Sequence, residues 1–144
     1  MLLYGCETWR MTLQDGKRLD TFLHRCLRRI LKIYWPMRIT NEEIKRRAGI
    51  EKISEIVQRL RWAWLGHVLR MDRGVHPRIA LTWEPDGRRK RGRPRETWRR
   101  TIQKEMREKG LRSWTEAVMI AADRIFWKRQ FCRTDSPNLG EMET

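Results

Sequence analysis

The chain has 144 residues with 33 Lys plus Arg against 18 Asp plus Glu, a formal charge of +15 at neutral pH. That excess is far beyond what solubility asks of a small domain, and it points to a polyanionic partner, with nucleic acid, RNA or DNA, the first expectation. Apolar content of 40% with eight Trp can furnish a modest core, whereas no apolar run approaches the length of a membrane span.

Taken in chain order, the opening Met1, Leu2, Leu3, Tyr4, Gly5, Cys6, Glu7 does not read as a signal peptide. Cys6, Cys26 and Cys132 are odd in number and widely spaced. They suit reduced thiols in a nuclear or cytoplasmic setting, not a disulfide framework in a secreted protein. Leu19, Phe22, Leu23, Cys26, Leu27, Ile30 and Leu31 recur at helical spacing, with Arg18, Arg25, Arg28, Arg29 and Lys32 mostly on the other side. This predicts a basic amphipathic helix ending before Pro36. Thr40 to Glu43 has the pattern of a capping box, with Ile39 and Ile44 as its hydrophobic staple, and opens a short helix that stops at Gly49.

Ser54 is placed to cap a longer helix running to about Met71. Val57, Leu60, Trp64, Val68 and Met71 share one stripe of it, and Ile56, Trp62, Leu65 and Leu69 cover much of the rest, so it is the candidate centre of the core. With Trp64 facing that core, Trp62 is about 200° away. It is then the aromatic side chain expected to face solvent, another helix or a ligand. Residues 72–95 break the helical pattern with repeated Gly and Pro, leaving one short extended or helical piece near Ile79 to Trp83. A helix from about Glu96 to Lys109 ends at Gly110. Ser113 and Glu116 then open a last one, whose inner face is Val118, Ala121, Ile125 and the neighbourhood of Cys132.

The fold expected is therefore all-α, about five helices in a small orthogonal bundle. Residues 1–132 form a single helical domain, made of N-terminal helices (1–71), a long basic Gly/Pro/Arg connector (72–95) and a C-terminal helical pair (96–132). A slightly acidic, frayed tail follows at 133–144.

Within the connector, Gly87 to Arg95 packs Arg88, Arg89, Lys90, Arg91, Arg93 and Arg95 around two Gly and a Pro. Such a segment has nothing to bury, and its density of cations makes it a candidate arm lying along phosphates or in a narrow groove. The basic face of the first helix, with Arg25, Arg28, Arg29 and Lys32, is the second candidate surface. The core Arg91, Gly92, Arg93, Pro94 resembles an AT-hook. Residues Thr40 to Ala48 and Ser54 to Met71 could also form a helix-turn-helix around Gly49, though the connection reads as longer than usual. Together these give the alternative of a stand-alone DNA-binding architectural protein.

No catalytic or metal site is read from the chain. His24, His67 and His76 lack partners at ligand spacing, no paired-Cys motif or Gly-rich phosphate loop is present, and Glu42 with Glu43 is explained as first-turn helix charge. The eight Trp interleave with Arg, and most are expected to be packing residues.

Several blocks together carry a resemblance that covers roughly residues 2 to 130. They are Leu3 to Trp9, Arg25 to Leu31, Thr40 to Glu43, Arg61 to Met71 and Gly92 to Trp98. In this order and spacing they resemble the region downstream of the polymerase core in LINE-type, non-LTR retrotransposon reverse transcriptases. The resemblance implies an endonuclease-reverse transcriptase parent, an RNA-directed DNA polymerase. In such a parent this segment resembles the thumb and following linker that grip template RNA and target DNA. The palm aspartates, their magnesium centre and the endonuclease are not in this sequence. The expectation is thus a non-catalytic C-terminal fragment, needing no cofactor of its own, with nucleic acid and the missing polymerase core as partners and no membrane.

Overall fold

A computed structural model describes residues 2–83, 92 and 97–133, and among these are seven α-helices, one 3-10 turn and no strand. The 3-10 turn Cys6–Thr8 precedes α1 (Leu13–Ile30), α2 (Asn41–Ala48) and α3 (Ile53–Arg70). A five-residue α4 (His76–Ala80), then α5 (Trp98–Glu108), α6 (Trp114–Ala122) and α7 (Arg124–Phe131), complete the order. The expected all-α class holds, with two more helices than the five predicted. One is α4, in the first part of the connector. The other arises because Asp123 divides the last helix: its carboxylate accepts from the Ile125 and Phe126 amides, both at 2.9 Å, and caps a new one.

Local chemistry sets most of the ends. Thr12 and Asp15 form a reciprocal capping box at the start of α1. Thr40 accepts from the Glu43 amide at 3.3 Å, but the Glu43 carboxylate turns away to Arg46 and Arg47, so only half of that box forms. Gly49 ends α2 at φ +60. Beyond α5, Gly110 at φ +81 lets the Leu111 amide return to the Met106 carbonyl at 2.8 Å, and both side chains join the core. At the end of α1 the same turn is made by Lys32 at φ +52, where glycine is the usual residue. Ser54 is not the cap of α3, which starts after Lys52. It lies in the first turn, and its amide and hydroxyl donate to the Asp20 carboxylate on α1 at 3.1 and 2.6 Å.

The core gathers around α3, against which α1, α6, α7 and the 3-10 turn pack. Its largest cluster joins Trp62, Leu65, Val68 and Leu69 of α3 to Ile102 and Met106, Ala117 and Ala121, and Trp127 and Phe131. Trp62 is fully buried against Trp127 and Phe131 of α7, so of solvent, another helix or a ligand it meets another helix. Trp64 is the half-buried ring, set edge-on against Trp98. Leu60 is exposed, so the inner stripe of α3 is rotated from the predicted one. On the last segment Ile125 is 80% exposed, and Ala117, Ala121, Trp127 and Phe131 are inside, because the restart at Asp123 resets the helical phase.

Two features fasten this core. Gly66 has no Cβ, and the Trp127 ring occupies the space one would fill, while the Trp127 indole donates to the Trp62 carbonyl at 2.9 Å. Arg61, 2% exposed, pairs with Glu105, whose second oxygen accepts from the Trp62 indole at 2.7 Å. Arg61 also donates to the Trp9 carbonyl at 3.1 Å, and the Trp98 indole to the Glu7 carbonyl at 2.9 Å, tying the N-terminal segment down. Smaller clusters form around Cys6, Ile53 and Val57, and around Leu27, Ile33 and Ile44.

Candidate nucleic-acid interface

On a helix advancing about 100° per residue, Lys17, Arg18, Arg25, Arg28 and Arg29 fall within an arc of about 120°, spread over about 18 Å of axis. The two acids of α1 are elsewhere: Asp15 is consumed in the cap and Asp20 turns inward to Ser54. The outward face of α1 therefore holds cations with no acid among them. Lys17, Arg18 and Arg25 line a shallow groove of about 330 Å³ with Gln14, Thr21 and Phe22. Phe22 was expected on the inner face, yet it is 54% exposed at the rim of this basic strip.

The predicted residues of this helix divide. Arg25, Arg29 and Lys32 are exposed. Arg28 is committed instead to the fold: its guanidinium donates to the Ile39 carbonyl at 2.7 Å and to the Asn41 side chain at 3.0 Å, fastening the segment before α2 to α1. Lys17 and Arg18, absent from the predicted set, complete the strip. The periodicity already places Arg18 on this basic side, and extending the helix back to Leu13 would have shown Lys17 there as well.

Of the basic run, Arg88, Arg89, Lys90, Arg91, Arg93 and Arg95 lie outside the described residues. Gly92 is described, is exposed, and has φ +90, a backbone state open to glycine at little cost. The described chain reaches this run from Trp83, 66% exposed, and leaves it at Thr97, whose hydroxyl accepts from the Arg100 amide to cap α5. Tryptophan thus spans three settings: Trp62 and Trp127 are core, Trp9, Trp64, Trp98 and Trp114 are half-buried, and Trp35, at 93%, and Trp83 are outside.

The helix-turn-helix arrangement gains a turn of suitable length, since only residues 49–52 separate α2 from α3. However, α2 packs on α1, burying Ile44 with Leu27 and Ile33, and not principally on α3 as that motif requires.

A cavity of about 580 Å³ lies between the start of α1, α3 and α5. Of the carboxylates lining it, Asp20 is engaged by Ser54, Glu55 by Lys52, and Glu105 by Arg61 and Trp62. Burial pushes the Glu105 carboxyl up from its ordinary value, against the opposing pull of Arg61, Trp62 and Lys109. Among the described residues no group of three or more His, Cys, Asp or Glu could hold a metal ion, and no helix is long and apolar enough to cross a membrane. Burial also raises the Cys6 and Cys132 thiols, which keeps both protonated at neutral pH. Comparison with protein-family models, curated proteins and solved structures returns no match to this chain.

Proposed function

We propose that this chain is a non-catalytic nucleic-acid-binding segment of the kind found in the thumb and linker of a LINE-type reverse transcriptase. It grips template RNA or target DNA through the outward face of α1 together with the run Arg88 to Arg95. The observation that carries the reading is the acid-free strip of Lys17, Arg18, Arg25 and Arg29 around the exposed ring of Phe22. Cations fixed on a rigid helix meet phosphates at little entropic cost, and an exposed ring among them offers a stacking surface for an unpaired base. Phosphate contacts of this kind position a strand without reading its sequence. The three free cysteines suit a reducing nuclear or cytoplasmic compartment. The polymerase core is the natural covering for exposed apolar residues such as Ile30, Tyr34, Trp35 and Met37.

The test is a binding titration against salt, with single-stranded RNA and duplex DNA. Each phosphate contact removed should flatten the logarithmic salt slope by roughly 0.7 for a single strand and roughly 0.9 for a duplex. Replacing Lys17, Arg18, Arg25 and Arg29 by Ala should lower affinity and slope together. A second variant, with Arg88, Arg89, Lys90, Arg91, Arg93 and Arg95 all changed to Ala, should do the same. Unchanged affinity and slope for both nucleic acids in both variants would sink the reading.

A further inference from the structure

A second basic site is assembled from residues far apart in the chain. Arg73 from the turn after α3, Arg78 of α4 and Arg99 from the first turn of α5 line one cavity of about 420 Å³, together with Thr82, Trp114 and Val118. No acid lines it. Among the described residues none of the three guanidinium groups has an ion-pair partner, although Arg78 and Arg99 are both half-buried. Cations brought together in a partly desolvated cavity without a counter-charge are a cost that an anion offsets.

Two independent features point the same way. The first turn of α5 holds no acid and carries Arg99, at the helix end where the aligned peptide dipoles already favour negative charge. A negatively charged group there relieves both the dipole and Arg99. In the cavity wall, the Trp114 indole N–H is shielded from solvent and has no acceptor among the described residues. A buried donor left unpaired is rare and unfavourable, and an acceptor reaching that wall would satisfy it. The cavity is also larger than a bare phosphate needs, with apolar wall at Ile79, Leu81 and Val118.

We propose that this cavity holds one nucleotide of a bound strand. Its phosphate is seated on the Arg78 and Arg99 guanidinium groups, and its base lies against Trp114 and Val118. The site rests on the nucleic-acid reading above and adds to it a discrete pocket, supplied by α4, α5 and α6 instead of α1.

The experiment uses the full chain and two readouts. Adenosine monophosphate is titrated while the Trp114 indole N–H resonance is followed, assigned by its loss in Trp114→Phe. The resonance should move in the wild type and stay still in the Arg78→Ala/Arg99→Ala double variant. In parallel, a short single-stranded RNA is titrated with and without a 5′ phosphate. Each single variant, Arg78→Ala or Arg99→Ala, should weaken it roughly tenfold, the order expected for a charge-assisted contact to phosphate. A preference for the 5′-phosphorylated form identifies a terminal phosphate as the occupant, and equal binding of both identifies an internal one. A silent Trp114 resonance with adenosine monophosphate overturns the pocket, and so does RNA affinity untouched by the double variant while the α1 variant weakens it. A chain that binds no RNA yet moves Trp114 with adenosine monophosphate keeps the pocket and loses the wider interface. Retained cooperative unfolding of each variant excludes misfolding as the cause.

Discussion

Gly66→Ala puts the packing of α3 to a sharp test, because helix propensity and tertiary fit demand opposite signs. By propensity alone, alanine in the middle of a helix is favoured over glycine by about 1 kcal/mol. In this fold the new Cβ would stand 2.2 Å from the Trp127 Nε1 and 2.6 Å from its Cδ1. The indole would have to retreat by about 1.2 Å to restore the 3.4 Å of ordinary contact. It has little room to do so, since Trp127 is buried against Trp62 and Phe131, with ring centres 5.5 and 4.7 Å away. Overpacking of this kind costs about 1–3 kcal/mol, and breaking the indole bond to the Trp62 carbonyl inside the core adds about 1–3 kcal/mol. Set against the propensity gain, the net loss is about 3 kcal/mol, or a fall in Tm of about 10 °C.

Gly16→Ala supplies the matched control. A Cβ there meets only Ser54 Cβ at 3.5 Å and Met11 Cε at 3.7 Å, so it should stabilise by about 0.5–1 kcal/mol. Urea unfolding followed by far-ultraviolet circular dichroism measures both, and the near-ultraviolet signal should weaken in Gly66→Ala alone. Equal or greater stability of Gly66→Ala would refute the close approach of Trp127 to the α3 backbone.

Three further outcomes are expected. Glu105→Gln leaves Arg61 a buried cation without its carboxylate and should cost about 3–5 kcal/mol by urea unfolding; adding Arg61→Met should recover part of it. Lys32→Gly should separate stability from binding. Release from the left-handed backbone at φ +52 adds about 0.5–1 kcal/mol to stability, whereas removal of an exposed cation beside the α1 strip should lower the salt slope for RNA. The acid limb of the stability curve should depend on Glu43, which Arg46 and Arg47 hold at about 2, below its ordinary 4.5. Because the folded state keeps it ionised, its contribution is complete above about pH 4.5 and is lost as pH falls towards about 2. Glu43→Gln should flatten that limb, and an unchanged pH profile would contradict the pairing. Glu105 has the opposite sign, since burial raises its carboxyl and its contribution diminishes as pH rises through the raised value.

What could be read in the sequence was the local part. The Thr40 and Ser113 caps, the glycine stops at 49 and 110 and the basic side of α1 follow from chemistry within a few residues, and each is in place. Residues whose roles depend on distant partners were not legible. An arginine in an apolar helix reads as solvent-facing, and only the arrival of Glu105 from α5 makes Arg61 an inner residue. Ser54 looks like a cap until Asp20, 34 residues earlier, claims its hydroxyl. The stripe of α3 was misphased for a related reason. Trp64 was ranked as core on periodicity, but the missing side chain at Gly66 fixes which flank of the helix meets Trp127. The same limit applies to the site. The α1 strip is periodic and visible, but Arg73, Arg78 and Arg99 have no sequence periodicity in common and meet only through the packing of α4, α5 and α6.

The two carbonyls that hold the N-terminal segment carry a consequence for how the chain assembles. Trp9 is met by Arg61 across 52 positions, and Glu7 by Trp98 across 91. During synthesis residues 2–9 leave the ribosome before either of their donors, one on α3 and one on α5, is made. Its docking therefore cannot be completed until α5 is made, and it closes loops of 52 and 91 positions. Refolding should show it as a slow, late step, with residues 2–9 settling only after α3 and α5 have met.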